Sequence, residues 1–170
     1  MTPADFFARL APAARDSARR TGVPAGFVCA QGALESAWGT SGLCVQANNL
    51  FGVKADSSWH GPVVDMLTHE YVHARNIEVM APWRRFATWE DCVDDHAQFF
   101  HLNARYAPAF KVASSEAFAR AIALAGYATD PAYADKLVSV IRAHALQQYD
   151  LPAVALAPPV NHGGTAPPWF

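Results

Sequence analysis

Charge is scarce in this chain. Only 16% of its 170 residues are Asp, Glu, Lys or Arg, 52% are hydrophobic, and the formal net charge is -2. Globular domains ordinarily carry about 25% charged residues. The lack of any basic excess excludes a nucleic-acid binder that works through a cationic face. It also removes a general electrostatic pull toward an acidic membrane or wall. Long apolar runs are missing too, and nothing approaches the ~18 residues that cross a bilayer. Cysteine is limited to Cys29, Cys44 and Cys92, too few and too odd in number for a disulfide framework. Cys29 and Cys92 fall in apolar helical patterns and read as buried thiols. A Cys29–Cys44 bridge has no support from spacing. The N-terminus interleaves Asp5, Arg9, Arg15, Asp16, Arg19 and Arg20 with no hydrophobic stretch between them, which predicts no cleaved secretory leader.

What is present is enough apolar material for one compact domain, burying about two-thirds of its unfolded surface. Residues 3–20 predict a first helix, with Phe6, Phe7, Leu10 and Ala14 on one face and arginines opposite. Pro24 opens a second, in which Phe27, Ala30, Gln31, Leu34 and Trp38 keep helical spacing before a stop at Gly39. Residues 40–61 read as loop. Residues 62–72 alternate so that Val64, Met66, Thr68 and Glu70 share a strand face, and a turn at Asn76 leads to a second strand. Thr88 with Asp91 three residues on predicts a capped third helix, running through Cys92, His96, Phe99 and Phe100. Further helices are expected from Ser115 to Leu124, ending by Gly126, and from Asp130-Pro131 onward. The expected domain is therefore mostly α (α+β) over residues 1–150. Residues 151–170 hold no charge and carry Pro152, Pro158, Pro159, Pro167 and Pro168, and read as an extended tail.

Glu35 is the residue with the most chemistry in it. It falls in the last turn of an apolar helix, where the negative end of the helix dipole and the exclusion of water both penalise the ionised form. A raised carboxyl pKa is what a general acid in glycoside hydrolysis requires. On the helix alone, an ordinary surface glutamate is the better fit. A competing pattern is His69-Glu70-Tyr71-Val72-His73, which matches the H-E-x-x-H of zinc peptidases. That chemistry needs a helix. In a strand the two histidines lie roughly 13 Å apart at ~3.3 Å per residue, too far for one zinc with bonds near ~2 Å. The segment is β-branched and aromatic and follows Gly61-Pro62, so no metal or other cofactor is expected.

With these residues laid out, the chain resembles the glucosaminidase domains of glycoside hydrolase family 73. These are peptidoglycan hydrolases that include part of a flagellar rod-assembly protein, autolysins and phage endolysins. The resemblance runs through Ala33-Leu34-Glu35-Ser36-Ala37-Trp38-Gly39, Asn48-Asn49-Leu50-Phe51-Gly52-Val53-Lys54 and Thr68-His69-Glu70-Tyr71. It continues in Trp83-Arg84-Arg85-Phe86-Ala87-Thr88 leading to Asp95-His96, and in Gly126-Tyr127-Ala128-Thr129-Asp130-Pro131 with Tyr133, Lys136 and Leu137. Phe86 departs from the family's usual tyrosine.

The resemblance implies a lysozyme-like fold, a helical lobe and a small β-hairpin lobe flanking a substrate groove. It implies an endo-β-N-acetylglucosaminidase that cuts the β-1,4 bond after N-acetylglucosamine in peptidoglycan glycan strands. By position it implies Glu35 as general acid, Glu70 as base or electrostatic stabiliser, and Tyr127 near the N-acetyl group. Trp38, Asn49, Phe51, Tyr71, Tyr106 and Asp130 are candidate substrate-binding residues. The enzyme is expected to be a monomer acting on the bacterial wall, with no membrane span and no nucleic-acid partner. Two origins fit the lack of a leader, a phage-encoded lysin released from the host cytoplasm or a domain cut from a longer protein. The rival readings are a lytic transglycosylase, a zinc peptidase through His69 and His73, and a wall-binding module without catalysis.

Overall fold

The computed structural model describes residues 1–72 and 75–151, and the side chains of residues 69–76 lie outside that description. The first helix, α1 (Pro3–Thr21), starts where Thr2 and Asp5 form a reciprocal capping box and ends at Gly22, whose φ of 75° terminates it. Its apolar face buries Phe6, Phe7, Leu10 and Ala14, as the spacing predicts.

The second helix, α2 (Ala25–Glu35), is the centre of the domain. Every residue from Ala25 to Ala33 is buried, and α1, α5 (Ser115–Leu124) and α6 (Tyr133–Ala143) pack around it. A helix enclosed on all sides cannot be amphipathic, which accounts for its nearly all-apolar sequence. Its Phe27 meets Phe100 and Phe118 at ring-centroid distances of 5.8 and 4.9 Å. Gly26 permits the closest approach in the core. A Cβ there would stand 2.6 Å from the Leu146 carbonyl oxygen.

The loop expected over residues 40–61 contains a short helix, α3 (Gly42–Ala47), capped by the Ser41 hydroxyl. The antiparallel hairpin follows, β1 (Val63–Val72) paired with β2 (Arg75–Arg84). The predicted turn at Asn76 is displaced. Asn76 is already in β2, opposite Tyr71, because pairing continues to Val72 and Arg75. Residues 64, 66 and 68 are half-buried while 63, 65 and 67 are exposed, the period-two pattern of a sheet covered on one side. Helix α4 (Trp89–Leu102) opens with the expected Thr88–Asp91 capping box. Two 3-10 segments, Ala104–Lys111 and Leu146–Tyr149, complete the chain and were not apparent from periodicity. The result is a helical lobe carrying one small β-hairpin lobe. The three cysteines are free and buried, so the Cys29–Cys44 bridge does not form. Among the described residues no helix is long and apolar enough to cross a membrane. The tail, residues 152–170, lies outside the described residues.

Candidate active site

Glu35 is the last residue of α2, three residues earlier than the sequence reading placed the helix end. The chain then turns sharply. Ala37, Trp38 and Gly39 take φ values of 49, 59 and 74°, so Trp38 is in the turn and not in the helix. Left-handed backbone at a residue with a Cβ is costly, of order 1–3 kcal/mol, and local bonds hold it here. The Ser36 hydroxyl accepts from Gly39 N–H at 2.7 Å and donates to the Gly32 carbonyl at 2.5 Å, while Trp38 N–H reaches the Ala33 carbonyl. Gly39 itself cannot be replaced cheaply, since a Cβ would stand 3.1 Å from Phe6 and Trp89. The turn fixes the carboxylate where the helix stops.

The Glu35 side chain is open to solvent on one side and crowded by protein on the other. Withdrawal of water raises its pKa above the ordinary carboxylate value, and a hydrogen bond from Tyr133 to Oε1, 2.7 Å long, opposes part of that rise. Tyr133 is in turn met by Gln31, and Gln31 by His96. Burial lowers His96 to about 3, so its imidazole is neutral. Tyr127 bonds to Gln31, and its hydroxyl is pushed well above the usual phenol range by burial and then by the Glu35 charge. Its ring stacks on Tyr133 with centroids 5.6 Å apart.

Beside this cluster is a cavity of about 380 Å³ walled by Phe51, Lys54, Asp56, Trp83, Asp95 and Tyr127, among others. Its lining unites the Asn48–Lys54 loop, the end of β2, α4 and the Gly126–Asp130 loop. Asp95 pairs with the buried Arg84 at 2.5 Å, which ties α4 to β2 under the cavity floor. Burial nevertheless leaves the Asp95 pKa raised, the Arg84 charge offsetting only part of it.

The candidate residues separate into several groups. Glu35, Tyr127 and Phe51 come together around the cavity and the helix end. Phe51 lies flat on His96 at 3.9 Å and lines the cavity. Asn49, a candidate for substrate or for fixing its loop, does the second here: it is 1% exposed, and its amide donates to the Val53 and Arg84 carbonyls. Tyr106 is a correction: at 0% exposure, enclosed by Phe99 and Phe100, it has no face to offer a sugar. Trp38 packs edge-on against Phe6, Phe7 and His144 and braces the turn. Asp130 accepts from Ala132 N–H and Lys136 Nζ and so shapes the turn before α6, whose own N-cap, Ala132, has no side-chain cap.

The backbone of His69, Glu70 and Tyr71 is in β1, Glu70 opposite Ile77. Their side chains, and His73 entirely, lie outside the described residues. A strand through Val72 is not the helix that H-E-x-x-H zinc chemistry uses. Gln31, His96 and Tyr133 were not singled out as site residues from the sequence. Gln31 did carry a signal, being the one uncharged polar side chain inside α2 and one turn before Glu35.

A family model described as mannosyl-glycoprotein endo-beta-N-acetylglucosaminidase, the glucosaminidase model, matches residues 11–146. The peptidoglycan hydrolase FlgJ of Salmonella typhimurium is 40% identical over 142 residues, 81% of this chain and 45% of that protein. The exo-glucosaminidase LytG of Bacillus subtilis is 38% identical over 126 residues, 71% of this chain and 44% of that protein. This chain thus spans less than half the length of these curated relatives. Among solved structures, the glycoside hydrolase domain of Salmonella typhimurium FlgJ matches with a TM-score of 0.74 at 36% identity, covering 87% of this chain and 91% of that one. The catalytic domain of the autolysin Auto from Listeria monocytogenes matches at 0.79 and 27% identity, with 87% of each chain covered.

Proposed function

The chain belongs to the glucosaminidase family, and from that membership we propose that it is an endo-β-N-acetylglucosaminidase cutting the β-1,4 bond after N-acetylglucosamine in peptidoglycan. The observation that carries the reading is Glu35: a carboxyl at the end of a buried helix, raised in pKa and open on one side. In this role Glu35 gives its proton to the glycosidic oxygen. The bond from the anomeric carbon to that oxygen breaks with its electron pair going to the oxygen, and positive charge develops on the sugar. Water adds to the anomeric carbon and surrenders a proton to Glu70, the carboxylate assigned to β1. The cavity beside Tyr127 accepts a substituent of the bound sugar, with Phe51 as an apolar wall.

The presence of Tyr127 in that cavity supports a second route, in which the acetamido oxygen of the substrate attacks first and Tyr127 holds the group in place. Fresh products separate the two, since direct attack by water inverts the anomeric centre and acetamido participation retains it. Digestion of purified peptidoglycan tests the wider assignment. New reducing N-acetylglucosamine ends are expected, released from within strands, and anhydro ends would instead make the protein a lytic transglycosylase. The same digest with Glu35→Gln is expected to release no sugar, and binding without any release by the unaltered protein would leave only a wall-binding module. We place its action at the bacterial wall, as a monomer.

A further inference from the structure

Four side chains from three helices form an unbroken hydrogen-bonded line ending on Glu35. His96 of α4 meets Gln31 of α2 (Nε2 to Oε1, 2.8 Å), Gln31 Nε2 donates to the Tyr133 hydroxyl of α6 (2.9 Å), and that hydroxyl donates to Glu35 Oε1 (2.7 Å). The three inner members are shut from solvent, with exposures of 4, 0 and 8%.

The line has a direction. An amide oxygen only accepts, so His96 Nε2 carries the hydrogen that faces Gln31. An amide nitrogen only donates, so the Tyr133 oxygen accepts there and its single proton is left for Glu35. Reversal would need Gln31 turned over and the imidazole proton moved to Nδ1. The imidazole is stacked on Phe51 at 3.9 Å and runs parallel to Phe99 at 6.1 Å, and the Gln31 amide is also bonded to Tyr127.

We propose that His96, Gln31 and Tyr133 act as a positioning relay that keeps Glu35 Oε1 occupied as an acceptor, so that the catalytic proton is carried on Oε2. The proposal rests on Glu35 being the general acid. A carboxylic acid otherwise shares its proton between two oxygens, and a proton directed at Tyr133 is not available to a substrate. Among the described residues Oε2 has no protein partner, and it belongs to the exposed side chain at the end of α2. Tyr133 and Tyr127 are the titratable groups among the described residues that interact electrostatically with Glu35. Both stay neutral, as does His96 at about 3, so the relay keeps one polarity throughout the working range. Each inner residue acts through the next. Only Glu35 touches the reacting atoms.

The test has two parts. Nitrogen-15 NMR of the histidine rings in the unaltered protein is expected to find His96 as the Nε2–H tautomer from pH 5 to 8. Finding Nδ1–H overturns the relay whatever the enzyme does. Kinetics of Tyr133→Phe and His96→Phe on soluble glycan strands form the second part. Loss of the Tyr133 donor is expected to cut kcat roughly tenfold or more with little change in KM. It also moves the basic limb of the pH profile upward, because the ionised carboxyl loses its stabilising bond. His96→Phe keeps the aromatic stack and frees the amide to turn, so it is expected to reproduce both effects, and the double variant to add nothing. Equal kcat losses with an unmoved limb would reveal mere structural damage. Hydrolysis surviving in Glu35→Gln would defeat the general-acid reading itself, while the tautomer measurement still reports on the relay.

Discussion

Phe51 lies flat against His96, ring centroids 3.9 Å apart and planes within 11°. The contact joins the loop that follows Asn49 to the buried side of the Glu35 cluster, so the cavity wall and the carboxyl's support are one packed unit. Phe51→Ala removes a side chain that is 7% exposed and opens the cavity onto the imidazole. The expected cost is about 3 kcal/mol of stability, read by chemical denaturation, with KM for glycan strands raised. Phe51→Leu should recover most of the stability and little of the KM. An unaltered KM in both would remove Phe51 from the substrate wall.

The pH behaviour of Glu35 follows from its raised pKa. A carboxyl that binds its proton more tightly folded than unfolded stabilises the fold at low pH, where both states are protonated and the buried group carries no charge. That contribution is fully present below the ordinary carboxylate pKa and is lost as pH rises through the folded value. Glu35→Gln, a neutral isostere, is therefore expected to melt higher than the unaltered protein at pH 7. The gap should close as the pH falls below about 4. Activity goes the other way, falling by roughly 10²-fold or more at every pH. A melting gap that widens in acid would mean the carboxyl is stabilised as an anion.

Much of this was legible from local chemistry. The Thr88–Asp91 box, the alternation of residues 63–68 and the apolar run of α2 are short-range patterns, and each appears where its spacing puts it. The end of α2 was misplaced because Trp38 keeps helical spacing from Leu34, while the Ser36 bonds and the left-handed turn that override it are set by neighbours. Tyr106 looked like a sugar platform because a tyrosine between Arg105 and Ala107 carries no local mark of burial, which comes from α4 folding over it. The relay was hidden for a related reason. Tyr133 is 98 residues from Glu35 and His96 is 65 from Gln31, and no periodicity within one helix encodes a meeting between three.

Metal dependence has a direct test. β1 runs through His69–Val72 as a strand, and among the described residues no three His, Cys, Asp or Glu side chains are placed to hold an ion. Glycan hydrolysis is expected to continue undiminished after exhaustive chelation, with reducing ends as product. Loss of activity in chelator and recovery on adding zinc, together with cleaved stem peptides, would reinstate the peptidase reading.

The extent of the folding unit turns on Asp150. Its carboxylate accepts from Gly26 N–H at 2.9 Å, the Ser115 N–H at 3.0 Å and the Ser115 hydroxyl at 2.5 Å, so one residue near the end of the domain satisfies the starts of both α2 and α5. At α2 nothing replaces it, since Pro24 has no side-chain cap, whereas α5 also has the Ser114 hydroxyl, which accepts from Ala117 N–H. Helix-capping losses run to about 1 kcal/mol each, and Asp150→Ala removes two together with a buried hydroxyl's partner. The expected destabilisation is about 2–3 kcal/mol. A chain ended at Tyr149 should lose as much, and one ended at Leu151 should melt with the 170-residue chain. Because α2 carries Glu35 at its other end, the shortened chain is also expected to lose activity at temperatures where the longer one is fully folded. Equal melting of all three chains would place the boundary of the folding unit before Asp150.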